Sequence, residues 1–186
     1  MDHQFFDSLF NGSKGWLAAT FIEASTKRVQ NKYYSLDSLS DFFQVCEDKS
    51  RQGWNCYFVP ATMAKQGRTK QDFKESNVVW MDYDKGTSLP KFEEPLPSHV
   101  VESSPGKYHV YWQLDESVNR ALAAQYGADK SGVDCTQLLR VPGTINYKYD
   151  AQTVVSVKSS YPLTYPVGDF KFFLQGSHRS LQLLTR

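Results

Sequence analysis

The stretch on which the reading of this chain turns is Val78-Val79-Trp80-Met81-Asp82-Tyr83-Asp84. Four consecutive apolar residues, two of them β-branched, describe a strand running through a buried sheet. The acids come at its C-terminal end, where sheets open to ligands. Side chains alternate along a strand, so Asp82 and Asp84 point the same way, about 7 Å apart. Two carboxylates that close repel each other, and both stay ionised cheaply when a divalent cation sits between them. Taken alone, the D-x-D is also the pattern of a charged strand end turning into Lys85-Gly86-Thr87.

Downstream lies Ser103-Ser104-Pro105-Gly106-Lys107-Tyr108-His109. Pro-Gly marks a tight turn joining a strand over 99–103 to one over 108–114. Gly106 lets the backbone approach a ligand, Lys107 brings a cation, and His109 can donate to a phosphate oxygen. A histidine satisfied within its own sheet is the plainer alternative for His109. A third segment, GADKSGVDCTQLLRVPGTINYK, follows a helix expected over 117–126. It carries Asp134, with Asp129 as a rival acid, and two phosphate donors, Arg140 and Lys148. Asn146 either caps the Pro142-Gly143 turn or contacts a nucleotide. Combined, the three segments contain the parts of a nucleotidyl-transfer site, in which three carboxylates hold two divalent ions about 3.5–4 Å apart. Basic residues and histidine then clamp the triphosphate.

VVWMDYD, SSPGKYHVYW and the segment around Asp134 together resemble the archaeo-eukaryotic primase superfamily, in particular the RepB-like primase-polymerase domains of phages and plasmids. The resemblance covers roughly residues 55–148. It implies an α+β fold: an RRM-like mixed or antiparallel sheet with helices, fused to an N-terminal α/β lobe. It implies template-directed addition of nucleoside triphosphates to a primer on single-stranded DNA, with two Mg²⁺ or Mn²⁺ ions. Asp82, Asp84 and Asp134 become metal ligands, and His109 a contact to the incoming triphosphate. Ser104, Lys107, His109, Arg140 and Lys148 make up the expected nucleotide-binding set.

The rest of the chain is consistent with one catalytic domain over 1–186: an α/β lobe to about residue 75 and the metal-binding lobe from about 76 to 175. Helices are expected over 2–10 and from Ser35, where Leu36, Leu39, Phe43 and Cys46 recur at helical spacing. Strands are expected over 15–24, 55–59, 152–158 and 163–167, with a basic loop over 65–74 and a helical tail after Asp169. The tail Leu183-Leu184-Thr185-Arg186 has no stop-like composition, which suggests a piece of a longer protein.

A hydrophobic share of 40% and a charged share of 22% describe a globular chain rather than a disordered one. A net charge of +1 offers no global field for a nucleic acid, so such a partner must be held by local basic patches. Cys46, Cys56 and Cys135 form no C-x-x-C, which argues against a zinc site and for reduced thiols. No apolar run is long enough to span a bilayer, and the N-terminus has acids where a signal peptide needs bases. A soluble, intracellular protein is therefore expected, and the resemblance implies a cytoplasmic one encoded by a phage or plasmid.

Two other classes compete: a metal-dependent nuclease or phosphohydrolase using the same acids on water, and a non-catalytic RRM-like binder. The binder is disfavoured because Asp82 and Asp84 would repel phosphate without a metal. Arg68 and Lys70 are weaker candidates for template or nucleotide contact, and Tyr83 and Tyr111 for stacking. The resemblance implies that priming from scratch needs a helical domain C-terminal to the catalytic core, and such a domain or a helicase is an expected partner in a full-length protein. Primer extension is the expected activity of these residues alone.

Overall fold

The computed structural model describes residues 1–83, 92, 94–118 and 135–170. Two helices, α1 (His3–Leu9) and α2 (Ser40–Arg51), lie against a sheet built from most of the strands. These are β1 (Trp16–Glu23), β2 (Val29–Ser35), β3 (Trp54–Phe58), β4 (Thr62–Met63), β5 (Phe73–Tyr83), β6 (His99–Ser104), β7 (Lys107–Val118), β8 (Leu139–Arg140), β11 (Ser156–Ser160) and β12 (Thr164–Tyr165). Short strands β9 (Ile145–Asn146) and β10 (Thr153–Val154) pair separately, and a 3-10 turn follows at Val167–Phe170. The main sheet runs β11-β6-β7-β5-β4-β1-β3-β8, with β2 on β1 and β12 on β7. Among the described residues every pairing is antiparallel except β12 with β7. The expected α+β, sheet-dominated architecture is the observed one.

Alternation explains the cores. On β5, Val78 and Trp80 face one way, toward a core that also holds Phe5 and Phe6 of α1, Phe42 of α2, Phe21 of β1 and Phe58 of β3. Val79 faces the other way, with Val100, Val110, Trp112 and Leu114. The first core draws residues from both sides of position 75. Phe6 is its hub, with ring centroids 4.9 Å from Phe58 and 5.1 Å from Phe42, both edge-on. Such pairs add about 0.5–1.5 kcal/mol each beyond the area they bury.

Helix α1 is short and depends on tertiary partners. Asp2 caps it by accepting from the Phe5 amide at 3.0 Å. Ser8 on its last turn bonds His99 Nε2 at 2.8 Å, and His99 Nδ1 reaches Ser160 Oγ at 2.9 Å. One buried imidazole thus ties α1 to β6 and β11.

Three boundaries differ from expectation. The second helix begins at Ser40 rather than Ser35, because 29–35 forms the edge strand β2 on β1. Its sequence, VQNKYYS, is largely solvent-facing and lacks an apolar alternation. β5 starts at Phe73 rather than Val78. Its polar early half conceals the strand, with Ser76 at a register shift, its hydroxyl donating to the Pro60 and Val78 carbonyls. β7 continues to Val118, so Ser117 and Val118 extend a strand instead of opening a helix. The remainder of that expected helix lies outside the described residues. The chain beyond Phe170 does so as well.

Candidate active site

β5 and β7 set Asp82 directly opposite His109 and Trp80 opposite Tyr111. Along this face of β5 exposure rises from 1% at Val78 to 9% at Trp80. It reaches 31% for the Asp82 side chain. The face therefore leaves the core and opens at its end. His109 Nε2 stands 3.8 Å from Asp82 Oδ1, and the imidazole is almost buried. That separation suits charge attraction to a protonated ring and is too long for a direct hydrogen bond. The buried ring restricts where the half-open carboxylate can turn.

Asp84 lies outside the described residues, as do Asp134 and its rival Asp129. The chain immediately after Asp134 is described. Cys135 is buried with Val59, Met63 and Phe73. Gln137 Oε1 accepts from Trp80 Nε1 at 2.9 Å, against the residue two positions before Asp82 on the same face. Arg68 donates to the Thr136 carbonyl at 3.3 Å, so the basic loop is fastened to this segment.

Arg140 enters from β8, paired with Tyr57 of β3. Its guanidinium stacks over the Tyr57 ring, 4.8 Å from the centroid, and donates to Asn55 Oδ1 at 2.8 Å. Burial pulls it below the ordinary guanidinium range, while Tyr57, Tyr149, Cys56 and Asp82 oppose that shift. An arginine stays charged regardless. This is a fixed positive charge within electrostatic reach of Asp82, with only 7% of its surface exposed.

Lys107 projects from the same face of β7 as His109, about 7 Å along the strand. Its ammonium lies 5.8 Å from the centre of the Tyr149 ring, and that of Lys148 lies 5.6 Å away. Thus Asp82, His109 and Lys107 share one face of paired strands, Lys107 and Lys148 meet at Tyr149, and Arg140 lies within electrostatic reach of Asp82 and Tyr149. Ser104 pairs with Lys107 across the Pro105-Gly106 turn and is buried. Gly106 adopts φ 75°, which that turn requires. The Pro142-Gly143 turn is closed by the Thr144 hydroxyl, which donates to the Val141 carbonyl at 2.7 Å, and not by Asn146. Asn146 Nδ2 donates to the Ser103 carbonyl at 2.7 Å and its Oδ1 accepts from the Lys148 amide at 2.9 Å.

Neither stacking candidate is an open platform. Tyr111 is fully buried under Phe5, ring centroids 5.2 Å apart, and Tyr83 packs partly against the second core. Sequence reading missed Tyr149, Tyr57 and Asn55. The only signal was the interleaving of tyrosine and lysine in Tyr147-Lys148-Tyr149.

No group of three potential metal ligands occurs among the described residues, and of the three expected ligands Asp82 is the one that is described. A half-exposed carboxylate at the open end of a strand is a hard oxygen donor, which fits Mg²⁺ or Mn²⁺. A cavity of about 430 Å³ lies at the opposite ends of β5 and β7, lined by Asn11, Glu75, Asn77, Asp115 and Glu116. It has three carboxylates and no lysine or arginine in its lining, so phosphate would be repelled there. No helix among the described residues is long and apolar enough to cross a membrane.

The model of the family described as RepB DNA-primase N-terminal domain matches residues 27–156. A Clostridium perfringens protein named "Replication protein" is 28% identical over 90% of this chain, which spans 45% of that relative's length. Three solved structures share the fold. The AEP domain of the cyanophage S-2L primase-polymerase superposes with a TM-score of 0.63 at 16% identity, covering 85% of this chain and 88% of that one. Primase RepB′ superposes at 0.65 and 19% identity, covering 86% and 57%. The catalytic domain of RepB′ in complex with initiator DNA superposes at 0.63 and 21% identity, covering 86% of each chain.

Proposed function

Because the chain belongs to the RepB DNA-primase N-terminal domain family, we propose that it is the catalytic domain of a DNA primase-polymerase. In this reading it adds nucleoside triphosphates to a primer 3′-hydroxyl on a single-stranded DNA template, in phage or plasmid replication in the cytoplasm. The observation that carries it is the pairing of Asp82 with His109 at the open end of β5, with the chain following Asp134 bonded to the same face through Gln137 and Trp80.

The primer oxygen forms its bond to the α-phosphorus as the bond to the bridging oxygen breaks. Pyrophosphate departs and the hydroxyl proton passes to solvent. Asp82, Asp84 and Asp134 would hold two divalent cations, Mg²⁺ or Mn²⁺, and these would supply positive charge to acidify the hydroxyl and stabilise the leaving group. His109 orients the Asp82 carboxylate and donates to a phosphate oxygen of the nucleotide. Lys107, Lys148 and the fixed charge of Arg140 attract and align the triphosphate. Ser104 keeps the turn that presents Lys107. Residues 1–75 and 76–175 act as two lobes of one catalytic unit. Primer extension, rather than priming from scratch, is the activity assigned to these residues.

The test is extension of a labelled primer on a single-stranded template with Mg²⁺ or Mn²⁺. Chain growth that requires nucleotide and cation supports the reading. Shortening of the labelled strand without growth would assign the same acids to hydrolysis instead.

A further inference from the structure

Two lysines from separate segments converge on one exposed ring. Lys107 leaves the β6–β7 turn and Lys148 follows β9, yet their ammonium groups lie 5.8 Å and 5.6 Å from the centre of Tyr149. The ring is 41% exposed. Two like charges gathered there repel each other, and the ring and its phenolic oxygen offset part of that cost. The nearby Lys107 ammonium holds the Tyr149 phenol below the usual range, and Lys148 adds to the effect.

The backbone is stiffened at the same place. Asn146 joins the Lys148 amide to the Ser103 carbonyl, so the segment carrying Lys148 and Tyr149 is bolted to the turn that presents Lys107. Arg140 adds a third positive charge within electrostatic reach of Tyr149. A cation over an exposed ring is held weakly enough for a phosphate oxygen to displace it.

We propose that Tyr149 is a positioning residue that sets Lys107 and Lys148 as a two-pronged clamp for the polyphosphate tail of the incoming nucleotide. This rests on the primase-polymerase reading. A compact set of charges around one ring, one strand step from His109 and its partner Asp82, suits a short, dense polyanion. A template backbone would instead need charges spread along a track.

The experiment combines calorimetric titration of inorganic tripolyphosphate with steady-state primer extension, on the parent chain, Tyr149→Ala, Tyr149→Phe, Lys107→Ala/Lys148→Ala and the triple variant. Thermal midpoints confirm that each is folded. Tyr149→Ala is expected to weaken tripolyphosphate binding about five- to tenfold and to raise the nucleotide KM by the same factor, with kcat within about twofold. Tyr149→Phe, which keeps the ring, should lose less. Once both lysines are gone, removing Tyr149 should cost nothing more, which a merely structural role would not produce. Unchanged tripolyphosphate affinity in Tyr149→Ala overturns the proposal. So does a loss confined to primed-template affinity, which would make the cluster a grip on DNA phosphates. A parent chain that binds tripolyphosphate through Tyr149 but extends no primer would sink the polymerase reading alone.

Discussion

The two ends of one sheet face behave as different materials. At the Val78–Trp80–Tyr111 end, α1 lies across the strands, Phe5 sits edge-on to Tyr111, and water is excluded. One strand step further, at Asp82 and His109, the same register continues but Asp82 is partly open to solvent. An acid placed under α1 would suffer the cost of burying charge without a partner. Beyond the core it keeps enough water to stay ionised and enough protein around it to be oriented. Chemistry becomes possible where the face runs out of hydrophobic cover, and the rigid end positions the open one.

The sharpest way to break this contrast is Asp82→Ala. In the proposed reading it reduces nucleotide incorporation at least about a thousandfold, while the thermal midpoint changes little because the group removed is partly exposed. Full incorporation by this variant would remove Asp82 from the site. The converse substitution is Phe5→Ala at the buried end. It should cost about 3–5 kcal/mol of stability in urea unfolding, while kcat of the folded fraction stays near the parent value. A large kcat loss with little destabilisation would show that the two ends are not separable.

His109→Ala sits between the two ends. It should raise the nucleotide KM by about tenfold, equivalent to about 1.4 kcal/mol, and leave template affinity as it was in fluorescence anisotropy. The smallest expected effect belongs to pH. Burial lowers His99 from the ordinary imidazole value of 6.5, while Gln113 and Asp2 oppose this. The unfolded chain then takes up the proton first. The stabilisation is complete above pH 6.5 and is lost as pH falls from there through the lowered folded value. Urea midpoints should therefore drop between about pH 7 and about pH 5.5. In His99→Gln, which has no proton to take up, that part of the decline should vanish. An equal decline in the variant would assign it to carboxylates elsewhere.

Legibility in the sequence followed how local each signal was. The apolar run before Asp82 and the Pro105-Gly106 turn are short-range patterns, and both appear where they were read. β2 was missed because an edge strand facing solvent needs no apolar alternation, and its register with β1 supplies its order. Tyr149 was missed for a related reason. It becomes interesting only beside Lys107, and nothing in the order of residues brings those two together. Asn146 follows the same rule, because its bond to the Ser103 carbonyl joins segments far apart in the chain.

Sequence by itself determined which residue types could do chemistry, which strand carried Asp82, and that the fold would combine helices with a mixed or antiparallel sheet. Tertiary structure decided that Asp82 faces His109, that Arg140 is pinned on Tyr57 and Asn55, and that two lysines share one tyrosine. The physical reason is range. Alternation and turn chemistry act over a few residues, whereas strand register and loop docking are settled only when separate hydrophobic faces close over a common core.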